Sequence, residues 1–383
     1  VFLGKIVLSF RHSLRPSLLP VRRPNYRMAT QAANGPEIPE PFLKSVNAWC
    51  GLHGLMYTDG KLNWYPAPIS LVPNRFSRSA FDFAQTIQPI WNKLIDRISR
   101  DKEFLVTELH DVVKADDFTK RVYDIYMKIN EDTLKNSLQF GIFRSDYMLN
   151  NDKRLLQVEI NTIAASFGCL SKKVVSLHQH LLSRYPPNPT STPSTFTYPA
   201  LAEALLDTSH SEIKRFLQEN HSLERLAAAI AAAHRVSGKE DGVVVFIVQP
   251  DERNQGDQRA LEERLWEGHQ VRVEFLTLAE AHARMVVQSS SQDLILLPTA
   301  NSQEGEYADG VAVSVVYYRA GYTPVDYPSE VEWEARERIE MSNAIKCPNV
   351  GYHLAGELFV AALRVFYVGI ISLLMFIILG FTP

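Results

Sequence analysis

The chain has 383 residues, 22% of them charged and 46% hydrophobic, with a formal net charge of −3. That length supports two or three domains with substantial cores, and that balance belongs to a soluble globular protein rather than a disordered or fibrous one. The charge gives no footprint for nucleic acid, and Cys50, Cys169 and Cys347 are too few and too far apart for a disulfide framework or paired zinc ligands, which fits a reducing compartment.

The first 27 residues hold Lys5, Arg11, Arg15, Arg22, Arg23 and Arg27 and no acid, leaving about −9 for the remainder. Such a segment reads either as an organelle presequence or as sequence upstream of a natural start at Met28-Ala29-Thr30. Residues 76–138 are mostly helical in pattern, with Phe83, Ile87, Ile90, Trp91, Leu94 and Ile98 on one stripe. Asp116-Asp117 offers a cap for the helix that contains Val122 and Ile125.

Phe140 to Met148 reads as a strand, and Arg154 to Asn161 as its hairpin partner. Period-2 alternation puts Gln157, Glu159 and Asn161 on one face, with Val158 and Ile160 on the other. A carboxylate and a carboxamide on one face can hold a hard cation together with nucleotide phosphates; the plainer alternative is a strand with one wet face. Next, Gly168 is expected to let the backbone turn closely after Phe167. His178 and His180 sit in a helical pattern with no third ligand nearby and read as structural.

The Pro- and Ser/Thr-rich run from Tyr185 to Pro193 is an exposed loop, and Glu212 to His234 an Ala- and Leu-rich helix. The unbroken apolar run Val243–Val248 is a strand buried on both faces. Helix, strand, helix and two further strands follow at 260–266, 271–276, 278–285, 294–297 and 311–318, an alternation that predicts a parallel α/β sheet. Neither a dinucleotide-binding Gly-x-Gly-x-x-Gly after the first of these strands nor a Walker-type Gly-Lys-Ser/Thr is present. Trp333, Glu334, Arg336 and Arg338 read as one amphipathic helix with solvated charges. Val365 to Phe381 is an uncharged apolar run at the short limit for a membrane span, and reads either as a tail anchor or, from Glu357 onward, as read-through rather than natural coding sequence.

Ligands of parallel sheets gather at the carboxyl ends of strands. Asp251, Glu252, Arg253 and Asn254 follow the buried strand, Gln258 lies just beyond, and Arg319 and Tyr322 follow the later strand. Glu252 suits an ammonium group, Asn254 and Gln258 suit amide or carboxylate atoms, and Arg319 suits a carboxylate. The alternative for Glu252 and Arg253 is a solvated loop, and for Arg144 a salt-bridge arginine.

Taken in series, Arg144-Ser145-Asp146-Tyr147-Met148, Leu155 to Gly168, Gln249 to Asn254 with Asp257-Gln258-Arg259, and Tyr318-Arg319-Ala320-Gly321-Tyr322 resemble the eukaryotic glutathione synthetases, ATP-grasp ligases. The resemblance runs from roughly Pro66 to Gly356. It implies an α/β (α+β) chain with a partial ATP-grasp fold and an inserted parallel-sheet substrate-binding domain. The expected divisions are a targeting-like segment at 1–40, the ligase body at 41–240, the substrate-binding domain at 241–356 and a hydrophobic tail at 357–383.

The resemblance further implies ATP-dependent joining of γ-glutamylcysteine to glycine through an acyl phosphate, with ATP as co-substrate, Mg²⁺ as cofactor and a homodimer. No covalent enzyme nucleophile, and so no catalytic side chain, is implied. Carried over residue by residue, Glu159 and Asn161 match metal ligands, and Glu159 also lies near the nucleotide. Arg144, the loop Ile163-Ala164-Ala165-Ser166, Glu252, Arg253, Asn254, Gln258, Arg319, Ala320, Gly321 and Tyr322 match substrate contacts. Ala164 stands where many members have Ser, and Ala320 where many have Asp. The family's glycine-rich lid, ATP-gripping lysines and glycine pocket have no counterpart before Gly356, and Glu357 to Pro383 holds no lysine. An inactive polypeptide is therefore expected, with an exposed sheet edge and core. A membrane-anchored or non-catalytic γ-glutamylcysteine-binding homologue, and a partner subunit of a longer enzyme, are the alternatives. Localisation is expected to be cytoplasmic, mitochondrial if the N-terminus is a presequence, or at a membrane if the 365–381 tail is genuine.

Overall fold

The computed structural model describes residues 38–130, 133, 137–150, 154–187, 196–299 and 310–365. The basic N-terminal segment, the Pro-rich loop from 188 onward and the apolar run beyond Val365 lie outside them. Among the described residues no helix is long and apolar enough to cross a membrane.

Helix α1 (Glu40–Leu52) leads into a small hairpin, β1 (Met56–Thr58) and β2 (Trp64–Pro66). Four helices follow: α2 (Arg78–Arg100), α3 (Lys102–Leu109), α4 (Val112–Ala115) and α5 (Asp117–Lys128). Their starts are written in the sequence. Ser77, Asp101 and Asp116 each accept from a backbone N–H in the first turn, satisfying a donor with no intrahelical partner. The stripe of α2 is buried at Ile87, Trp91, Leu94 and Ile98, but Phe83 is 53% exposed; the core contact runs instead through Ala80 and Ala84.

Strands β3 (Arg144–Leu149) and β4 (Leu155–Asn161) form the expected antiparallel hairpin, with Arg144 opposite Asn161, Asp146 opposite Glu159 and a bulge between Asp146 and Tyr147. Ile160 is buried in the core that includes α2 and α5, while Val158, Leu156 and Met148 stay 40%, 37% and 58% exposed. The apolar face is thus anchored at Ile160 and open toward the hairpin tip.

Helix α6 (Gly168–Arg184) contains both histidines, and His178 donates from Nε2 to the Ser70 carbonyl at 2.9 Å, a structural role. After α7 (Tyr198–Leu206), the single helix expected at 212–234 is two, α8 (His210–Phe216) and α9 (Ser222–Val236). A Ser209–Glu212 capping box starts α8, and Asn220 Oδ1 accepts from Ser222 N at the start of α9; helical chain cannot run through that polar stretch.

The sheet is built from β5 (Val243–Ile247), α10 (Gln255–His269), β6 (Val273–Leu276), α11 (Leu278–Arg284), β7 (Met285–Val287), β8 (Leu294–Leu296), β9 (Val311–Tyr318), α12 (Glu330–Met341) and β10 (Ile345–Cys347), and the last described helix is α13 (Val350–Val365). Its order is β6-β5-β9-β8-β7, with β10 also on β9. The purely parallel sheet expected from the alternation is instead mixed. The pairs β5–β6, β5–β9 and β9–β10 are parallel, but β7 starts directly at the end of α11 and turns back through Gln288–Asp293, so β7–β8 and β8–β9 are antiparallel. All five residues of β5 are buried.

On α12 the charges are not all solvated. Arg336 is 1% exposed and lies 3.8 Å over the Tyr318 ring, so its charge is stabilised by an aromatic face rather than by water. His353, on α13, is also enclosed, and its pKa is pushed down to about 3 by burial and then by Arg336. The unfolded chain takes up this proton near pH 6.5 and the folded one does not, so the contribution is present above that pH and lost as pH falls toward 3. Thermal unfolding between pH 7 and pH 4 is expected to show a falling midpoint, with a shallower slope in His353→Gln; equal slopes would remove His353 as a cause.

Candidate functional site

Two polar groupings are assembled by different elements. The first is on the hairpin. Period 2 places Arg144 and Asp146 on the same face of β3, and the register brings Glu159 and Asn161 opposite them. Arg144 donates from Nε and Nη2 to the two Asp146 oxygens at 2.8 and 2.9 Å, and its Nη2 lies 3.9 Å from Glu159 Oε1. Asn161 Nδ2 donates to Asp146 Oδ2 at 3.1 Å and to Glu159 Oε1 at 2.9 Å. With its amide nitrogen engaged by two carboxylates, Asn161 has Oδ1 left for another partner.

Among the described residues no group of three His, Cys, Asp or Glu is arranged to hold a metal. A cation on this face would therefore rest on Glu159, on the Asn161 carboxamide and on oxygens of a ligand. An all-oxygen set suits a hard ion such as Mg²⁺. Asp146, given no role from the sequence, is the hub of the quartet; its i, i+2 spacing from Arg144 in a strand is the signal that marks it.

The second grouping is at the carboxyl ends of β5 and β9, which lie side by side so that Arg319 N donates to the Ile247 carbonyl at 2.8 Å. Glu252 Oε1 accepts from Asn254 N and Oε2 from Gln258 Nε2, both at 2.6 Å. Each oxygen keeps lone-pair capacity for an incoming ammonium group. Arg253 points elsewhere, toward Tyr65, with its Nη2 3.2 Å from the hydroxyl. The β1–β2 hairpin braces this loop, since Thr58 N donates to the Arg253 carbonyl and Gly256 packs on the Met56 carbonyl too closely for any Cβ.

Arg319 and Asp257 are 5% and 2% exposed, and Arg319 Nη2 donates to Asp257 Oδ2 at 3.0 Å. Burial opposes the Arg319 charge, but Tyr317 and Asp257 more than reverse that, and its pKa is raised. Tyr57 is pushed up to about 12, first by burial and then by Asp257 and Glu252. Beyond Ala320, Gly321 has a φ of +89°, a left-handed conformation suited to glycine. Asp326 holds this turn: its Oδ2 accepts from the backbone N–H groups of Gly321, Tyr322 and Thr323, and its Oδ1 from Gln249 Nε2 at 2.8 Å. Asp257 and Asp326 were both visible as residues, but no sequence spacing reveals the Asp257 partners 62 to 90 positions away or Gln249, 77 positions from Asp326.

The loop Ile163-Ala164-Ala165-Ser166 runs from the hairpin to α6 and so links the two groupings. Tyr317 donates to the Ala165 carbonyl at 3.2 Å. The turn expected at Gly168 is made by its neighbours instead: Ala164 and Phe167 have φ of +50° and +70°, and Gly168 is already helical.

A family description, eukaryotic glutathione synthase, ATP binding domain, matches residues 37–314. The chain belongs to the eukaryotic glutathione synthase family. It is 39% identical over 319 residues to the chloroplastic glutathione synthetase of Solanum lycopersicum, covering 81% of this chain and 52% of that one. It is 32% identical over 294 residues to glutathione synthetase of Homo sapiens, covering 76% and 54%, and 32% identical over 340 residues to the glutathione synthetase large chain of Schizosaccharomyces pombe, covering 84% and 65%. The chain thus spans about half the length of the plant and animal relatives it matches. A glutathione synthetase-like effector from Globodera pallida shares the fold, with a TM-score of 0.62 at 19% identity over 90% of this chain and 70% of that one.

Because the Arg319–Asp257 pair is enclosed, removing one member leaves the other charge buried alone. Arg319→Ala is expected to cost about 3–5 kcal/mol of stability. Urea unfolding checks this, and a loss below about 1 kcal/mol would mean that water replaces the guanidinium.

Proposed function

We propose that this chain carries the γ-glutamylcysteine site and part of the metal–nucleotide site of a glutathione synthase. The observation that carries the proposal is the gathering of Glu252, Asn254, Gln258 and Arg319 at the adjoining ends of β5 and β9. A dipeptide with a free α-amino acid end needs a carboxylate for its ammonium, cation or amide donors for its carboxylate, and amide groups between them. Glu252, Arg319 and the Asn254–Gln258 pair offer that mixture. The Gly321-Tyr322 turn and the Ile163–Ser166 loop supply backbone groups around it, and Arg144 lies on the hairpin that feeds the loop. Arg319 gives one of its five N–H donors to Asp257, and its other donors are the ones proposed for the substrate carboxylate.

In the proposed reaction the terminal phosphoryl group of ATP passes to the dipeptide's C-terminal carboxylate, releasing ADP. The glycine amine then attacks the acyl phosphate, forming the amide and releasing phosphate. Glu159 and Asn161 would hold Mg²⁺, which neutralises phosphate charge when bound. What the chain's own residues do is position: Asp146 and Glu159 fix the Asn161 amide, and Asp257 and Asp326 fix the two loops. We also place the protein in the cytoplasm as a homodimer, a placement that the three buried, unpaired cysteines suit.

A second reading is favoured by the open apolar face of Met148, Leu156 and Val158 and by the designation of the fission yeast relative as a large chain. In it the chain works beside another polypeptide that covers this face.

Isothermal titration of the chain with γ-glutamylcysteine is expected to show saturable binding, weakened by roughly 2–4 kcal/mol in Glu252→Ala. Cysteinylglycine, lacking the γ-glutamyl group, is expected not to bind; absence of dipeptide binding overturns the proposal. Glu159→Gln is expected to weaken Mn²⁺ binding, read by water-proton relaxation, by at least about tenfold. Unchanged Mn²⁺ affinity would remove Glu159 as a ligand. Expressed alone, the chain is expected to make no glutathione from ATP, γ-glutamylcysteine and glycine; turnover would show that this polypeptide is itself sufficient.

A further inference from the structure

Helix α6 begins without a cap of its own. Its N-cap residue is Phe167, an aromatic in the left-handed region whose side chain accepts nothing, so the first amides of the helix need acceptors from elsewhere. They find them on Asp257. Oδ1 accepts from Cys169 N at 2.9 Å and Leu170 N at 3.1 Å, while Oδ2 accepts from Phe167 N at 3.1 Å and Arg319 Nη2 at 3.0 Å. One carboxylate thus closes the end of the Ile163–Phe167 segment, caps a helix and holds a guanidinium, with each oxygen taking two donors.

We propose that Asp257 is a positioning residue that couples the Ile163–Phe167 loop to Arg319, so that γ-glutamylcysteine affinity depends on its carboxylate. The inference rests on the dipeptide reading above and deepens it. A left-handed Phe is strained, and this conformation persists only while the surroundings hold it. The Phe167 N–H and the Arg319 guanidinium share Oδ2, so a shift of one alters the electrostatic hold on the other. The second tie, Tyr317 to the Ala165 carbonyl, comes from the strand that ends at Arg319, so loop and arginine rest on one frame. An asparagine in this place has a single oxygen. Whichever way it turns, its NH₂ faces either the α6 amides or the Phe167–Arg319 pair, donor against donor.

The test compares wild type, Asp257→Asn and Ser222→Ala. Ser222 Oγ donates to the Gly168 carbonyl at the same end of α6 without touching the loop amide or Arg319, so its loss samples mere loosening of the helix. By isothermal titration below the melting range of each protein, Asp257→Asn is expected to weaken γ-glutamylcysteine binding about tenfold or more, and Ser222→Ala to leave it unchanged. Hydrogen exchange of wild type supplies an arm that needs no variant: γ-glutamylcysteine is expected to slow exchange of the Phe167, Cys169 and Leu170 amides. Wild-type binding with equal affinity in Asp257→Asn, or with exchange at these three amides unmoved, overturns the coupling while leaving the dipeptide site standing. Should Asp257→Asn fail to fold, the exchange arm decides. Absence of dipeptide binding by wild type sinks the site itself and the coupling with it.

Discussion

Four donors converge on one enclosed carboxylate, that of Asp257, and most of the site's geometry depends on it. Moving an aspartate and an arginine out of water costs several kcal/mol per ion, and their mutual attraction repays this only when the remaining donors and acceptors are also matched. Here they are: the backbone N–H groups of Phe167, Cys169 and Leu170 complete the shell around Asp257. The positive end of the α6 dipole faces the same carboxylate, which adds to its stabilisation. Helix, loop and strand end are therefore held in one electrostatic arrangement. Its members have little freedom to move separately.

The hairpin obeys a different logic. Arg144, Asp146, Glu159 and Asn161 are partly open to solvent, so their mutual contacts are weaker individually and easier to rearrange. Such adaptability is what the proposed phosphate-facing role would require. The opposite face of the same strand pair is apolar: Ile160 anchors it in the core, and the apolar side chains continue outward to Val158, Leu156 and Met148. A two-stranded hairpin has little stability of its own, so this one depends on Ile160 and α13 for its place. The polar and apolar faces are the two halves of one alternation.

Much of this was legible in the residues. The hairpin and the shared face of Glu159 and Asn161 follow from period 2, and the buried strand at Val243–Ile247 from an unbroken apolar run. Caps at Asp116 and the helix containing Val122 and Ile125 follow from local hydrogen bonding. The departures have physical causes. Phe83 lies at the rim of its stripe, where small alanines make the inner contact, and the 212–234 helix breaks at a polar stretch that satisfies its own backbone. The antiparallel β7–β8 turn is too short to register as periodicity, and Arg336 is sheltered by an aromatic ring on a distant strand.

The sequence by itself determined the β3–β4 hairpin, the capped helix after Asp116, the buried strand β5, and which side chains stand at the carboxyl ends of β5 and β9. These depend on neighbours within a few positions, where spacing and backbone geometry suffice. Only the tertiary structure decided that Asp257 meets Arg319 and the α6 amides, that Asp326 reaches Gln249, and that Asp146 meets Asn161 across the hairpin. Each is a contact between charges or dipoles brought close by packing. No periodicity records such contacts, because the energy of a buried carboxylate depends on distance and on the exclusion of water. Both are properties of the folded chain alone.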